Sequence, residues 1–187
     1  MCFVLSNSPL LYHKMENILF NSFLFKTLSN LEKKKYHLLV RVLKFLYFKG
    51  PNPVADICSH LKISSPNGNA ILAMLMEYDL IEKKGYGLSK GGRKPELYGL
   101  KADAFYVVSV DMNVHKTSLA IFDSENKQVT NSQSFSLEMN NELSTLEKLT
   151  DHIQQFINDS KTAPDKIIGV GVSMPGLVDS KNGFNFF

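Results

Sequence analysis

Four short polar side chains, Ser64, Ser65, Asn67 and Asn69, stand within six positions of each other, where Ile63-Ser64-Ser65-Pro66 reads as a tight turn leading into a helix. Serine suits the N-cap, and proline suits the first turn, where its missing N–H costs nothing. Further along, Lys90, Arg93 and Lys94 lie in or beside the run Gly91-Gly92-Arg93-Lys94-Pro95, preceded by Lys83, Lys84, Gly85 and Gly87. Asparagine can pair bidentately with adenine, while serine hydroxyls and helix-start N–H groups hold phosphates and fix register. An arginine at the tip of a glycine-rich loop can enter a narrow minor groove, and flanking lysines can neutralise phosphates in a salt-dependent way. The chemistry these two groups share is recognition of double-stranded DNA. Taken singly, Ser64 and Ser65 also suit simple helix capping, and the Gly-Gly-Arg-Lys-Pro run also suits an ordinary hairpin loop.

The elements around them decide between these uses. From residue 34 to 48 apolar side chains recur at Leu38, Leu39, Val42, Leu43, Phe45 and Leu46, close to the 3.6-residue period of an amphipathic helix. Gly50-Pro51-Asn52-Pro53 stops it, and a short helix is expected over 54–61 with Val54, Ile57, Cys58 and Leu61 inside. A third helix runs from the Ser65-Pro66 start to about Tyr78, burying Ile71, Leu72 and Leu75. Residues 80–84 and 96–100 then read as two strands joined by an extended loop. Three helices and a two-stranded wing make a winged helix-turn-helix over 33–101, a fold that lays the start of its last helix in the major groove.

Past Lys101 the pattern changes. Residues 105–111 and 117–123 read as strands, 128–137 as a third, joined by polar turns that suit an antiparallel meander. A helix over 143–157 with Leu146, Leu149, Ile153, Phe156 and Ile157 on one face leads to a buried strand at 166–173, which ends in the turn Met174-Pro175-Gly176. The whole is an α+β multidomain chain. Its charge divides in the same way: residues 33–101 carry 13 Lys+Arg against 5 Asp+Glu, a net +8, whereas residues 102–187 carry 6 against 11, a net −5. A basic half followed by an acidic half suggests two tasks.

Bulk composition excludes several classes. At 187 residues, 44% apolar and 21% charged, the chain is globular and long enough for one ordinary domain or two small ones. Cys2 and Cys58 are its only cysteines, so it contains neither a disulfide framework nor a cysteine zinc site, and a reducing cytoplasm is expected. No metal site and no catalytic constellation is expected; His115 is a lone histidine in a strand turn. The apolar start over 1–13 lacks a positive n-region and a cleavage site, and no run of 18 uncharged apolar residues occurs, so export and membrane spanning are not expected. Residues 1–32 read as an N-terminal extension, helical in part, with Met15 as an alternative start and with Phe23, Phe25 and Leu28 either dimerising or packing on the winged helix.

Three segments, taken in order, resemble the ROK family of repressors, open reading frames and sugar kinases, and specifically its regulator branch. They are the helix-turn-helix over 57–81, the segment Gly87-Leu88-Ser89-Lys90-Gly91-Gly92-Arg93-Lys94-Pro95-Glu96-Leu97-Tyr98-Gly99-Leu100, and Ile168-Gly169-Val170-Gly171-Val172-Ser173-Met174-Pro175-Gly176-Leu177-Val178-Asp179. The resemblance implies that 102–187 is the first, truncated part of an actin-like, ribonuclease H-like α/β domain. It also implies repression as the default activity, a sugar or sugar-phosphate effector near Pro175 and Gly176, and a homodimer or higher homo-oligomer on an operator. The kinases of that family end their first strand in Asp-x-Gly-Gly-Thr, whose glycines let ATP phosphates approach. Here the segment is Asp111-Met112-Asn113-Val114-His115-Lys116, without a glycine, so no enzyme activity and no cofactor are expected. A sugar kinase with an added DNA-binding domain and a winged-helix protein-interaction module are the alternatives.

Overall fold

The computed structural model describes residues 2–3, 29–88, 92–137, 140 and 142–186. It divides into two compact units, Ser8–Phe105 and Met1–Asn7 with Tyr106–Phe187. The first unit is built on helix α1, Asn30–Lys49, which starts earlier than the apolar period alone predicts. The reason is a capping box: the Ser29 hydroxyl accepts from the Glu32 N–H, and the Ser29 N–H donates to Glu32 Oε2 at 2.8 Å. α1 buries Leu39, Val42, Phe45 and Leu46. Helix α2, Val54–Leu61, ends at Lys62 in the left-handed region (φ 55°), and helix α3, Ser65–Glu77, follows at once. Arg41 on α1 donates from Nη2 to the Leu61 carbonyl at 2.8 Å, satisfying one of the acceptors that the end of α2 leaves open. This cation is therefore part of the scaffold.

Ile57 and Leu61 of α2 and Ile71, Leu72 and Leu75 of α3 close over the α1 stripe, with Leu80, Ile81 and Leu100 completing the core. Where α2 and α3 meet, Gly68 is buried, and a Cβ added there would overlap Cys58 Sγ. Alanine in place of a mid-helix glycine normally gains up to about 1 kcal/mol. Overpacking costs about 1–3 kcal/mol, so the clash should win and Gly68→Ala should lower the unfolding midpoint. In a Cys58→Ala background the sulfur is gone, and Gly68→Ala should become neutral or stabilising in the same denaturant titration. An unchanged penalty in both backgrounds would remove the close approach as its cause.

A three-stranded antiparallel sheet flanks the helices, in the order β2 (Asn52–Pro53), β4 (Glu96–Leu100), β3 (Ile81–Tyr86). By residue type Pro51-Asn52-Pro53 is only a helix stop. Two residues of it form an edge strand, where a proline without an N–H is tolerated. The β3–β4 register shifts between Lys83 and Tyr86, around Gly85 at φ +92°, as a bulge demands.

In the second unit the sheet runs β1 (Cys2–Phe3), β8 (Ile167–Ser173), β5 (Tyr106–Met112), β6 (Thr117–Asp123), β7 (Gln133–Phe135). β5, β6 and β7 are an antiparallel meander, and β8 is parallel to β5 after a crossover through helix α4, Leu143–Asp159. The core gathers Val108, Val110, Leu119 and Ile121 from the sheet with Leu149 and Phe156 from α4. Several features of this unit differ from the sequence pattern. The strand foreseen over 128–137 shrinks to three residues because the Thr130 hydroxyl takes the Ile121 N–H, a side chain replacing the ladder. Leu146 is 57% exposed rather than inside. β8 is half-buried rather than buried: Ile167, Val170 and Val172 pack on the core, whereas a Cβ on Gly169 or Gly171 would meet open space. Beyond the Pro175-Gly176 turn a further hairpin forms, β9 (Leu177–Asp179) with β10 (Phe184–Phe186), its turn held by Asp179 Oδ1 accepting from the N–H groups of Lys181 and Asn182. Cys2 and Phe3, read as part of an extension, pair with Gly171 and Val170 of β8.

Candidate nucleic-acid interface

The first turn of α3 presents Ser64, Ser65, Asn67 and Asn69 all exposed. Ser64 has the extended N-cap backbone (φ −70°, ψ 149°), and its carbonyl accepts from the Gly68 N–H at 2.9 Å. Its side chain makes no capping hydrogen bond. That carbonyl bond is the first of the helix and not a cap, so the capping use of the Ser64 side chain is not taken up and the hydroxyl is available to an external partner. Opposite the buried Gly68, Ile71, Leu72 and Leu75, the middle of the outward face carries Pro66, Ala70 and Ala73, all exposed, between the Asn67 side and the Asn69 side. These small apolar groups were missed from sequence because alanine carries no evident chemistry. The signal was present in their i, i+4, i+7 spacing on the face away from the leucines.

At the end of the β3–β4 hairpin the Gly87 N–H donates to the Pro95 carbonyl at 2.8 Å, closing the loop at its base. Arg93 and Lys94 are exposed, and with Tyr86, Pro95 and Glu96 they line a shallow hollow of about 340 Å³. Lys90, with Ser89 and Gly91, lies outside the described residues. Lys83 and Lys84 each lie beside a carboxylate of the same hairpin. Lys83 Nζ lies 3.0 Å from Glu96 Oε1, and Lys84 Nζ lies 2.6 Å from Glu82 Oε1. The Tyr98 hydroxyl donates to Glu96 Oε2 at 2.9 Å. The hydrogen bond from Lys83, then the one from Tyr98, holds the Glu96 carboxyl below the usual carboxylate range, and Glu96 in turn raises Lys83. This network could not be read from sequence, because it depends on a strand register interrupted by a bulge.

Pro175, half-buried, and Gly176, exposed, sit in the turn between β8 and β9. Asp111 is exposed near the end of β5, opposite Ser118 and Ser173. The following turn is closed by the Asn113 N–H donating to the Lys116 carbonyl at 2.8 Å, and Asn113, Val114, His115 and Lys116 all project to solvent. Side chains thus stand where a phosphate-binding glycine turn would have bare backbone. Among the described residues no cluster of three histidine, cysteine or acidic side chains could hold a metal, and no helix is long and apolar enough to cross a membrane.

Residues 107–185 match the ROK family. The chain is 32% identical over 145 residues to the xylose repressor of Bacillus spizizenii, an alignment covering 78% of this chain and 38% of that protein. It is 33% identical over 138 residues to the xylose repressor of Bacillus subtilis, covering 74% of this chain and 36% of the relative. The chain therefore spans less than two fifths of the length of these relatives. Among solved structures it is similar in fold to a ROK family transcriptional regulator described as a homologue of the Escherichia coli MLC protein, with a TM-score of 0.59 and 18% identity over 79% of this chain and 37% of that one.

Proposed function

Since the chain belongs to the ROK family, carrying the match over residues 107–185, we propose that it is a sequence-specific DNA-binding transcriptional repressor whose complete protein responds to a sugar. One observation carries the DNA-binding part. The start of α3 holds four polar side chains outward with no structural duty of their own, in a basic unit whose hairpin exposes Arg93 and Lys94. On this reading 33–101 is a winged helix-turn-helix domain, 1–32 an N-terminal extension whose Cys2 and Phe3 join the sheet of the second unit, and 102–187 part of an actin-like, ribonuclease H-like ROK domain. Asn67 and Asn69 read adenine edges, Ala70 and Ala73 rest against thymine methyls, and Ser64 and Ser65 hold phosphates. Lys90, Arg93 and Lys94 follow the hairpin into the adjacent groove and backbone.

Pro175 and Gly176 fall beside the effector site, and the effector is a sugar or sugar phosphate; xylose is the first to try, from the names of the relatives. The protein acts in the cytoplasm as a homodimer or higher homo-oligomer on paired half-sites. It is not a kinase, a reading supported by the glycine-free turn after Asp111. The test is duplex binding followed by fluorescence anisotropy across a salt series. Affinity should fall steeply with salt, and Arg93→Ala with Lys94→Ala should flatten the logarithmic slope by about 1.8, two phosphate equivalents. Salt-independent binding, or none, would reject the reading.

A further inference from the structure

Glu96 is a carboxylate set among the cations of the β3–β4 hairpin. It shares the hollow with Arg93 and Lys94, lies 3.0 Å from Lys83 Nζ through Oε1, and accepts from the Tyr98 hydroxyl through Oε2 at 2.9 Å. The bulge between Lys83 and Tyr86 lets Lys83, paired across the ladder with Tyr98, reach diagonally to Glu96, which pairs with Tyr86. Both charged side chains remain partly open to solvent, at 54% and 30% exposure, so a phosphate arriving at this face would meet them.

A negative charge on a surface that meets a polyanion weakens binding to every DNA sequence alike, because phosphates carry no sequence information. The factor is common to operator and other DNA, so such a charge sets the overall affinity and its salt dependence while their ratio stays as the base contacts fix it. We propose that Glu96 limits the backbone affinity of this interface: clamped by Tyr98, it occupies Lys83 so that the hairpin offers Arg93 and Lys94, but not Lys83, to phosphate. The proposal rests on the DNA-binding reading above. It adds a residue that works against affinity.

The test uses the full 187-residue chain and a random-sequence duplex of about 30 base pairs, titrated between about 50 and 200 mM salt. Lys83→Gln alone should leave the salt slope unchanged. Glu96→Gln should tighten binding several-fold at the low-salt end and steepen the slope by about 0.9, an extra loss of about 3- to 4-fold across that range. Lys83→Gln with Glu96→Gln should restore the wild-type slope. Tyr98→Phe, which keeps every charge and loosens the clamp, should move the slope part of the way. If Lys83→Gln alone flattens the slope by about 0.9, Lys83 already touches phosphate and the proposal is overturned. An unaltered slope in Glu96→Gln overturns it equally. Wild-type binding that needs Arg93 and Lys94, with no response to changes at Glu96 or Lys83, would refute this inference alone. A wild-type chain that binds no duplex would refute it together with the DNA-binding reading.

Discussion

Leu75→Ala is expected to remove about 2–5 kcal/mol of unfolding free energy from the helical unit, the cost of deleting a buried leucine and leaving its cavity. Leu75 is fully buried on α3, in the same core as Leu39, Val42 and Leu46 of α1 and Ile57 of α2. Among the described residues the buried polar side chains, Thr117, Asp123 and Ser124, all belong to the other unit, so the lost packing is felt directly. Against a total of about 5–15 kcal/mol for an ordinary domain, the variant would sit near the edge of folding. Urea titration should show a lower midpoint at an unchanged slope, and the duplex-binding fraction should fall with the folded fraction. Leu31→Ala provides the contrast, since Leu31 is 77% exposed on α1 and its loss should stay within about 0.5 kcal/mol. Equal midpoints for Leu75→Ala and wild type would mean that α3 is not held by this core.

The features readable in advance were those written in local periodicity. The spacing of Ile57, Cys58 and Leu61, and of Ile71, Leu72 and Leu75, gave the inward faces of α2 and α3 because helix geometry turns spacing into direction. The meander and the crossover helix were readable for the same reason, each strand being a compact apolar run between polar turns. Features that depend on a partner distant in sequence were hidden. Gly68 looked like one more small residue until Cys58 was found against it across the turn. Lys83 looked like a free cation until the ladder brought Glu96 and Tyr98 to it. The burial of β8 was overestimated because an apolar strand reads as covered on both faces, whereas its glycines leave one side without side chains to pack. At the candidate interface the polar residues were legible by type, while Ala70 and Ala73, which share the outward face with them, were not.

Asn67→Ala and Asn69→Ala are each expected to cost about 1–3 kcal/mol, or about 5- to 150-fold in affinity, on a duplex selected for tight binding by the wild-type chain. Both side chains are exposed in the first turns of α3 and neither caps the helix, so alanine there does not weaken the fold. A loss of binding cannot then be ascribed to unfolding, and an unchanged urea midpoint would document this. The loss should also be selective. On random duplex both variants should bind like wild type with the same salt slope, because an asparagine reading a base edge neutralises no phosphate. The sequence preference of each variant should relax at one position of the site, where adenine ceases to be favoured. Ser64→Ala, in contrast, should weaken every duplex alike, since a phosphate contact fixes register without reading sequence. Replacing thymine by uracil throughout the selected duplex isolates the remaining contact: the methyl groups vanish, every hydrogen bond stays, and any weakening measures what Ala70 and Ala73 contribute. If the asparagine variants instead weaken random and selected duplexes equally, α3 is lying along the backbone, and the element that reads sequence must be sought in the β3–β4 hairpin.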